Sequence, residues 1–434
     1  MDPSADDARP GPMVWLSDFL RSDNTGGMFY GWRLVLIGIL VILVGREIGN
    51  GLTGTAWSAT RFAGDGIGPP WNMLVIAGGV IGWLLSLWIA GRGVDRWGPR
   101  RMVLIGLSLA GLVVLLATVP VGLGPYPAVA GAAALATIAA YMPTITALNN
   151  WFRNRLALAL ALMLFGSSIG ATVIRYLFAA LLLVMDWRLL TLAAGAVIVV
   201  GALPLARAIR DRAEDWGEYP DGLVPAAAET RPDYAWREAV RSKEFWMLMA
   251  AGACVGASHT VAAFYDWQII LHSSTAYEDI ATFGKFEKFT STAGILVGGL
   301  ACYRFPVRPV LLAAAIVQTA AILVMLTGFV PALLPVVVLF GLASGAGAAP
   351  GIAAVGIYFG RRSFGMITVT GMLIEQAASY ALLPAAGYII AFVGGYVPIF
   401  VAAAIVTSVG AGLYLMLGQP RLSPSQRAGS PATR

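Results

Sequence analysis

The sequence predicts an all-α membrane protein of twelve transmembrane helices in two pseudo-symmetric six-helix bundles. Three observations predict it. The 434 residues are 58% hydrophobic and 12% charged, with a mean hydropathy of +0.76, so polar side chains are too few to cover a water-soluble globule. A helix needs about 20 apolar residues to cross the roughly 30 Å hydrocarbon layer, and that ruler yields twelve spans. Short sequence features also recur between the two halves of the chain at a nearly constant offset.

In chain order, residues 1–29 are polar and precede an apolar stretch too long for a signal-peptide core, so they read as a retained cytoplasmic tail. Spans follow near 31–56, 71–90, 102–121, 127–148, 156–182 and 187–207, forming a first bundle over 30–207. Residues 208–243 are the only long polar stretch and read as a cytoplasmic linker. The second bundle, 244–418, holds spans near 245–268, 282–303, 309–328, 332–356, 365–391 and 396–417, and 419–434 form a second cytoplasmic tail. Basic residues beside membrane helices stay inside. Of the 29 Lys and Arg, only Arg61, Arg188, Lys285 and Lys288 fall outside in this arrangement, with Arg46 and Arg175 within spans, so both termini are expected in the cytoplasm and the chain in the cell (inner) membrane. The repeat supports the division. Gly91, Arg96 and Arg100 match Gly299, Arg304 and Arg308, and Trp151 to Arg155 match Tyr358 to Arg362. Transporters built from such repeats bind substrate near the midplane and rock about it.

The run Gly91-Arg-Gly-Val-Asp-Arg-Trp-Gly-Pro-Arg-Arg101 is expected to be a short basic loop at the membrane surface. With Gly91, Asp95, Arg96, Gly98, Arg100 and Arg101 in place, it resembles the helix 2 to 3 loop of the major facilitator superfamily. That resemblance covers residues 30 to 418 and implies the major facilitator fold and a secondary transporter. It also implies an inner gate, in which this loop and Arg153, Arg155, Arg361 and Arg362 lock the two halves. Tyr30-Gly31-Trp32, Asn150 to Ala157 with Gly166-Ser-Ser-Ile-Gly170, and the linker run Arg212-Ala-Glu-Asp215 to Asp221-Gly222 resemble the monocarboxylate porter and oxalate:formate antiporter branch. One departure stands out. Animal members carry an aspartate and a substrate-binding arginine four apart in helix 8, and the equivalent positions here are Ser291 and Ile295.

Ionisable groups inside a bilayer are costly, so each is a functional candidate. Arg46 and Glu47 in helix 1 are adjacent and point about 100° apart, so they cannot partner each other. The economical pairing joins Glu47 to Arg175 in helix 5 and leaves Arg46, whose planar fork suits a carboxylate, facing the cavity; the alternative is one buried charge network. His259 in helix 7 sits at nearly the repeat-equivalent position to Arg46. It could carry a coupling proton or simply bond a neighbouring helix. Glu375, near the middle of helix 11, could carry a proton or pair with His259. Tyr141 and Tyr265 could orient a ligand, Asp266 reads as an interface residue, and Lys288 could replace the missing arginine or reach to water.

With Cys254 and Cys302 alone and two histidines, no disulfide framework, metal site or enzyme constellation can be assembled, and no cofactor is expected. The net charge of +6 sits beside apolar spans and points to membrane lipid as partner, with no nucleic acid. The expected function is alternating-access transport of a small organic anion, a carboxylate, by symport with protons or by antiport against a counter-anion. A proton-driven exporter of amphipathic or cationic compounds, using Glu47 and Glu375, is the alternative.

Overall fold

A computed structural model describes residues 27–48, 69–116, 140–224, 231–272, 277–327, 330–393 and 397–428. Twelve long helical stretches run through them: α1 (Tyr30–Ile42), α2 (Pro69–Trp97), α3 (Pro99–Leu116), α4 (140–151), α5 (Leu156–Leu181), α6 (Trp187–Ala208), α7 (Lys243–His272), α8 (Tyr277–Arg304), α9 (Val307–Met325), α10 (Val330–Phe359), α11 (Phe364–Val393) and α12 (Val397–Met416). No strand occurs among the described residues, and eight of these helices are long and apolar enough to cross a membrane. Their outer faces are apolar, with Leu183, Val200 and Phe392 at least three-quarters exposed, a surface that hydrocarbon and not water would wet.

Two local features differ from the sequence expectation. The basic run is not a loop: Gly91–Trp97 are the last turns of α2, and α3 resumes at Pro99. Gly98 alone makes the turn, at φ 82°, a conformation open to glycine, and Pro99 supplies the preset φ of a helix start. Helix α1 also does not stay α-helical. It passes at Leu43 into a π-helical turn, Leu43–Ile48, that carries Arg46 and Glu47. The wider turn breaks the 3.6-residue phase by which Arg46 was placed on a face.

Helices from the two halves meet where residues are smallest, as membrane helices do. Gly299 of α8 lies against Ala161 and the Ala157 carbonyl of α5, and Gly91 of α2 packs on Val369 and Gly365 of α11. Both contacts lie at the end of the molecule that carries the linker. There an aromatic cluster of Phe29, Trp32, Trp151 and Phe152 forms the base of the first half. Tyr234, Phe245, Tyr358 and Phe359 do the same for the second.

The linker docks in two parts. Its first part folds on α1–α6: the Tyr30 hydroxyl donates to Ala208 O at 2.7 Å, the Trp151 indole N–H to Arg210 O at 2.9 Å, and Arg100 N to the Asp211 carboxylate at 2.8 Å. The Arg210 guanidinium lies between the rings of Tyr30 and Trp216, 3.8 and 3.9 Å from their centroids. Buried Asp221, held at φ 61°, accepts from the backbone N–H groups of Arg153, Asn154 and Arg155 at 3.0, 2.7 and 3.3 Å. The second part folds on α10 and α11, where Asp233 accepts from Arg361 N and Arg362 N at 3.1 and 2.9 Å. Each loop of the sequence repeat is thus gripped by one linker aspartate. The repeat extends further: the side chain of Trp151 bonds the carbonyl of Arg210 after α6, and that of Tyr358 bonds Gly418 after α12.

Candidate functional site

A cavity of about 370 Å³ lies within the second half, walled by α7 to α12. Glycines and alanines of α7 and α10 (Gly252, Gly256, Ala343, Gly345, Gly351) keep it open. Glu375 reaches into it from α11, and its carboxylate rests on Gly256 of α7, where any side chain would collide with it. His259 is one turn farther along α7, so imidazole and carboxylate share a wall. The imidazole stacks on Phe340 of α10, with centroids 4.9 Å apart and planes at 23°, and its Nδ1 is buried without a hydrogen-bond partner among the described residues. Thr368, 4% exposed, lines the end nearer the linker, and its hydroxyl is also unpartnered among those residues. Gln318 enters from α9 and donates to Val255 O at 3.0 Å. Ser291 of α8 bonds Ser344 of α10 at 3.3 Å. The cavity therefore offers hydroxyls, an amide, an imidazole and one carboxylate, and among the described residues no Arg or Lys lines it.

Several sequence candidates meet here and others do not. His259 and Glu375 face one cavity but make no ion pair, and Ser291 and Ile295, where the resembled porters have their charged pair, are both wall residues. Tyr141 is packed among Leu87, Met142 and Val369 between α2 and α11, and Tyr265 packs against apolar clusters of α7, α11 and α12; neither lines the cavity. Arg175 is on an exposed face of α5, and Lys288 is exposed on α8. The side chains of Arg46, Glu47 and Asp266 lie outside the described residues, as does the expected Glu47–Arg175 pair. Gln318, Thr368 and Tyr414 of α12, which also lines the cavity, were not singled out from sequence. A lone glutamine within the apolar α9 was the available signal; Thr368 carried none.

At the linker end the resembled gate is built differently from a lock of acid and bases. Asp95 crosses between halves, its two oxygens accepting from Gly365 N and Met366 N at 2.9 Å each, at the first turn of α11. Helix N-termini favour such an anion. Burial nevertheless raises its pKa to about 6, against the pull of those two N–H groups. Arg96, Arg100, Arg101 and Arg362 are exposed and make no ion pair among the described residues. The pairing base is Arg361, 2.8 Å from Glu214 of the linker. Arg153 is pushed down from its usual value by burial and by its neighbours Arg361 and Arg231, against Glu214 and Asp221. Arg155 forms part of the loop held by Asp221.

Apolar helices of spanning length, close contacts between the halves at the linker end and, beyond it, a largely apolar cavity carrying a few polar groups are the features of a multi-pass membrane transporter. The sequence profile of the Major Facilitator Superfamily matches residues 25–286, and the chain belongs to that family. No curated protein matches it in sequence. Among solved structures, it is similar to a Major Facilitator Superfamily transporter, FucP, in the outward conformation, with a TM-score of 0.70 and 13% identity over 89% of this chain and 98% of that one. It is also similar to a single-residue variant of the E. coli fucose:proton symporter, FucP, with a TM-score of 0.68 and 14% identity over 90% and 100% of the two chains. A third similar structure is the proton:xylose symporter XylE, with a TM-score of 0.66 and 10% identity over 92% and 98%. At these identities the likeness is one of fold. The family consists of membrane transporters, and the protein is not an enzyme.

Proposed function

We propose that the protein is a proton-coupled secondary transporter of a small organic anion, working by alternating access between bundles 30–207 and 244–418. In this reading both termini and the linker are cytoplasmic, in the cell membrane. The observation that supports it best is the cavity in which Glu375 and His259 face inward a turn apart, above a closed linker end. Ionisable groups held without a salt partner in a membrane suit proton carriage. A proton entering with the anion would make the cargo neutral overall, and Arg46 is the residue assigned to the anion's carboxylate.

One observation favours the second reading, export of a cationic or amphipathic compound: among the described residues the cavity wall holds a carboxylate and no Arg or Lys. Charge preference separates the two. In proteoliposomes with an imposed pH gradient, accumulation of a carboxylate that is lost in Arg46→Gln, and driven uptake that is lost in Glu375→Gln while exchange persists, is the expected result. Transport confined to cations and indifferent to Arg46 sinks the anion reading, and transport indifferent to the pH gradient sinks proton coupling.

A further inference from the structure

A second cavity, of about 390 Å³, opens at the linker end on the seam between α2 and α11, away from the solute cavity. Arg92 and Arg96 of α2, Arg362 before α11, Trp88 of α2 and Trp236 of the linker surround it. Its charges do not cancel. Among the described residues its one carboxylate, Asp95, already has both oxygens engaged by Gly365 N and Met366 N, and none of the three guanidiniums makes an ion pair. Trp236 is fixed there by its indole N–H, which donates to Thr370 Oγ1 at 3.0 Å. Arg92 lies over Trp88, 5.4 Å from the ring centroid.

What approaches this pocket is set by the face of α2 below it. Ile81, Leu85, Trp88, Arg92 and Arg96 are all exposed, and their spacing of three and four residues puts them in one line along the helix. The line runs from aliphatic through aromatic to basic. Ile81 to Trp88 spans seven residues, about 10 Å at 1.5 Å each, which fits within one leaflet of a hydrocarbon layer roughly 30 Å thick. A phospholipid has the same order of parts along its length: acyl chain, glycerol and phosphate. Guanidiniums bind phosphate oxygens in a planar, two-point fashion that suits such a pocket.

We propose that this pocket binds the headgroup of an anionic phospholipid, with its phosphate among Arg92, Arg96 and Arg362 and one acyl chain on Ile81 and Leu85. Three cations against one engaged carboxylate select a headgroup of net negative charge over a zwitterionic one. Because Arg92 and Arg96 belong to α2 while Arg362 precedes α11, the bound lipid spans the seam and holds the linker end closed. The inference does not depend on the identity of the transported solute.

The test measures thermal stability of the delipidated, detergent-purified full chain with added phosphatidylglycerol, phosphatidylcholine or soluble glycerol phosphate. Wild type and an Arg304→Gln control should be stabilised by phosphatidylglycerol at concentrations at least tenfold lower than by phosphatidylcholine. An Arg92→Gln/Arg362→Gln variant should lose that preference while keeping its lipid-free melting point. An undiminished preference in the double variant overturns the site, and equal stabilisation by glycerol phosphate overturns the lipid in favour of a free anion. Should the variant not fold, native mass spectrometry of the wild type decides: preferential retention of phosphatidylglycerol supports the proposal, and equal retention of both lipids overturns it.

Discussion

Replacing Asp221 with asparagine isolates what the linker's grip on the first repeat loop is worth. Asparagine tolerates the positive φ of this position, so the backbone at 61° need not change. The carboxylate accepts three backbone N–H bonds, from Arg153, Asn154 and Arg155, and is 2% exposed. Hydrogen bonds to a charged group contribute about 1.5–3 kcal/mol each, less where three share two oxygens. Asparagine keeps one acceptor oxygen but turns an NH₂ toward a donor it cannot satisfy. A loss of roughly 2–3 kcal/mol in local docking is expected, which at 1.4 kcal/mol per tenfold is about a 30- to 150-fold shift in local opening. Hydrogen exchange followed by mass spectrometry reads it directly: amides 153–155 should exchange faster by about that factor, while 361–362, held by Asp233, stay protected. Unchanged protection at 153–155 would refute the reasoning, and equal acceleration at both loops would show a global rather than a local effect.

Three further outcomes extend the test to closure and to the cavity, the first two read by a cysteine at buried Ala157 in a background with Cys254 and Cys302 replaced by serine, labelled from the linker side. Gly299→Val places a branched side chain against Ala161 and the Ala157 carbonyl, so the linker end should fail to close and labelling should rise at least tenfold; no change would mean that α5 and α8 do not govern closure. Asp95 has a pKa of about 6 in the closed state against 3.8 when free. Closing therefore takes up a proton between those values, and the stability this gives the closed end is present below about pH 4 and lost as pH rises through 6. Labelling, divided by that of a fully exposed cysteine at each pH to remove the thiol's own titration, should increase across that window in wild type and stay flat in Asp95→Asn. Finally, Ile295→Arg restores a cation to the cavity wall and should raise affinity for small carboxylates at least severalfold in a binding assay; weaker binding of every anion tested would show that the wall position no longer addresses substrate.

The twelve-helix plan was legible because a bilayer imposes length, hydropathy and charge asymmetry at once, and Trp151 to Arg155 and Tyr358 to Arg362 repeat openly. Glu375 and His259 were legible for the same reason, since a charge among apolar residues has few neutral explanations. The geometry of closure was not. Asp221 and Asp233 stand twelve residues apart in the linker and follow no repeat, yet each finds one of two loops that lie in opposite halves of the chain. Arg96, Arg100 and Arg101 drew attention by charge, whereas the contact across the seam is made by Asp95 with backbone N–H groups that no side-chain pattern reveals. The π-turn at Leu43–Ile48 is likewise silent in sequence, because its residues would equally suit an α-helix.

The aromatic bases at the linker end also bear on the order in which the chain is assembled. Tyr30, at the start of α1, makes its contacts with Ala208, Arg210 and Glu218, so the linker-side end of α1 is capped only after five further helices have been made. The second half closes later still. Tyr234 donates to the carbonyl of Arg421, and Gln426 donates to Arg231 O while its side-chain oxygen accepts from Asp233 N. Residues 421–426, made after α12, thus fasten the second base. A chain ending at Gln419 would insert all twelve helices and still leave its second base unfinished, a defect that would appear as lowered yield and faster turnover rather than as altered substrate preference.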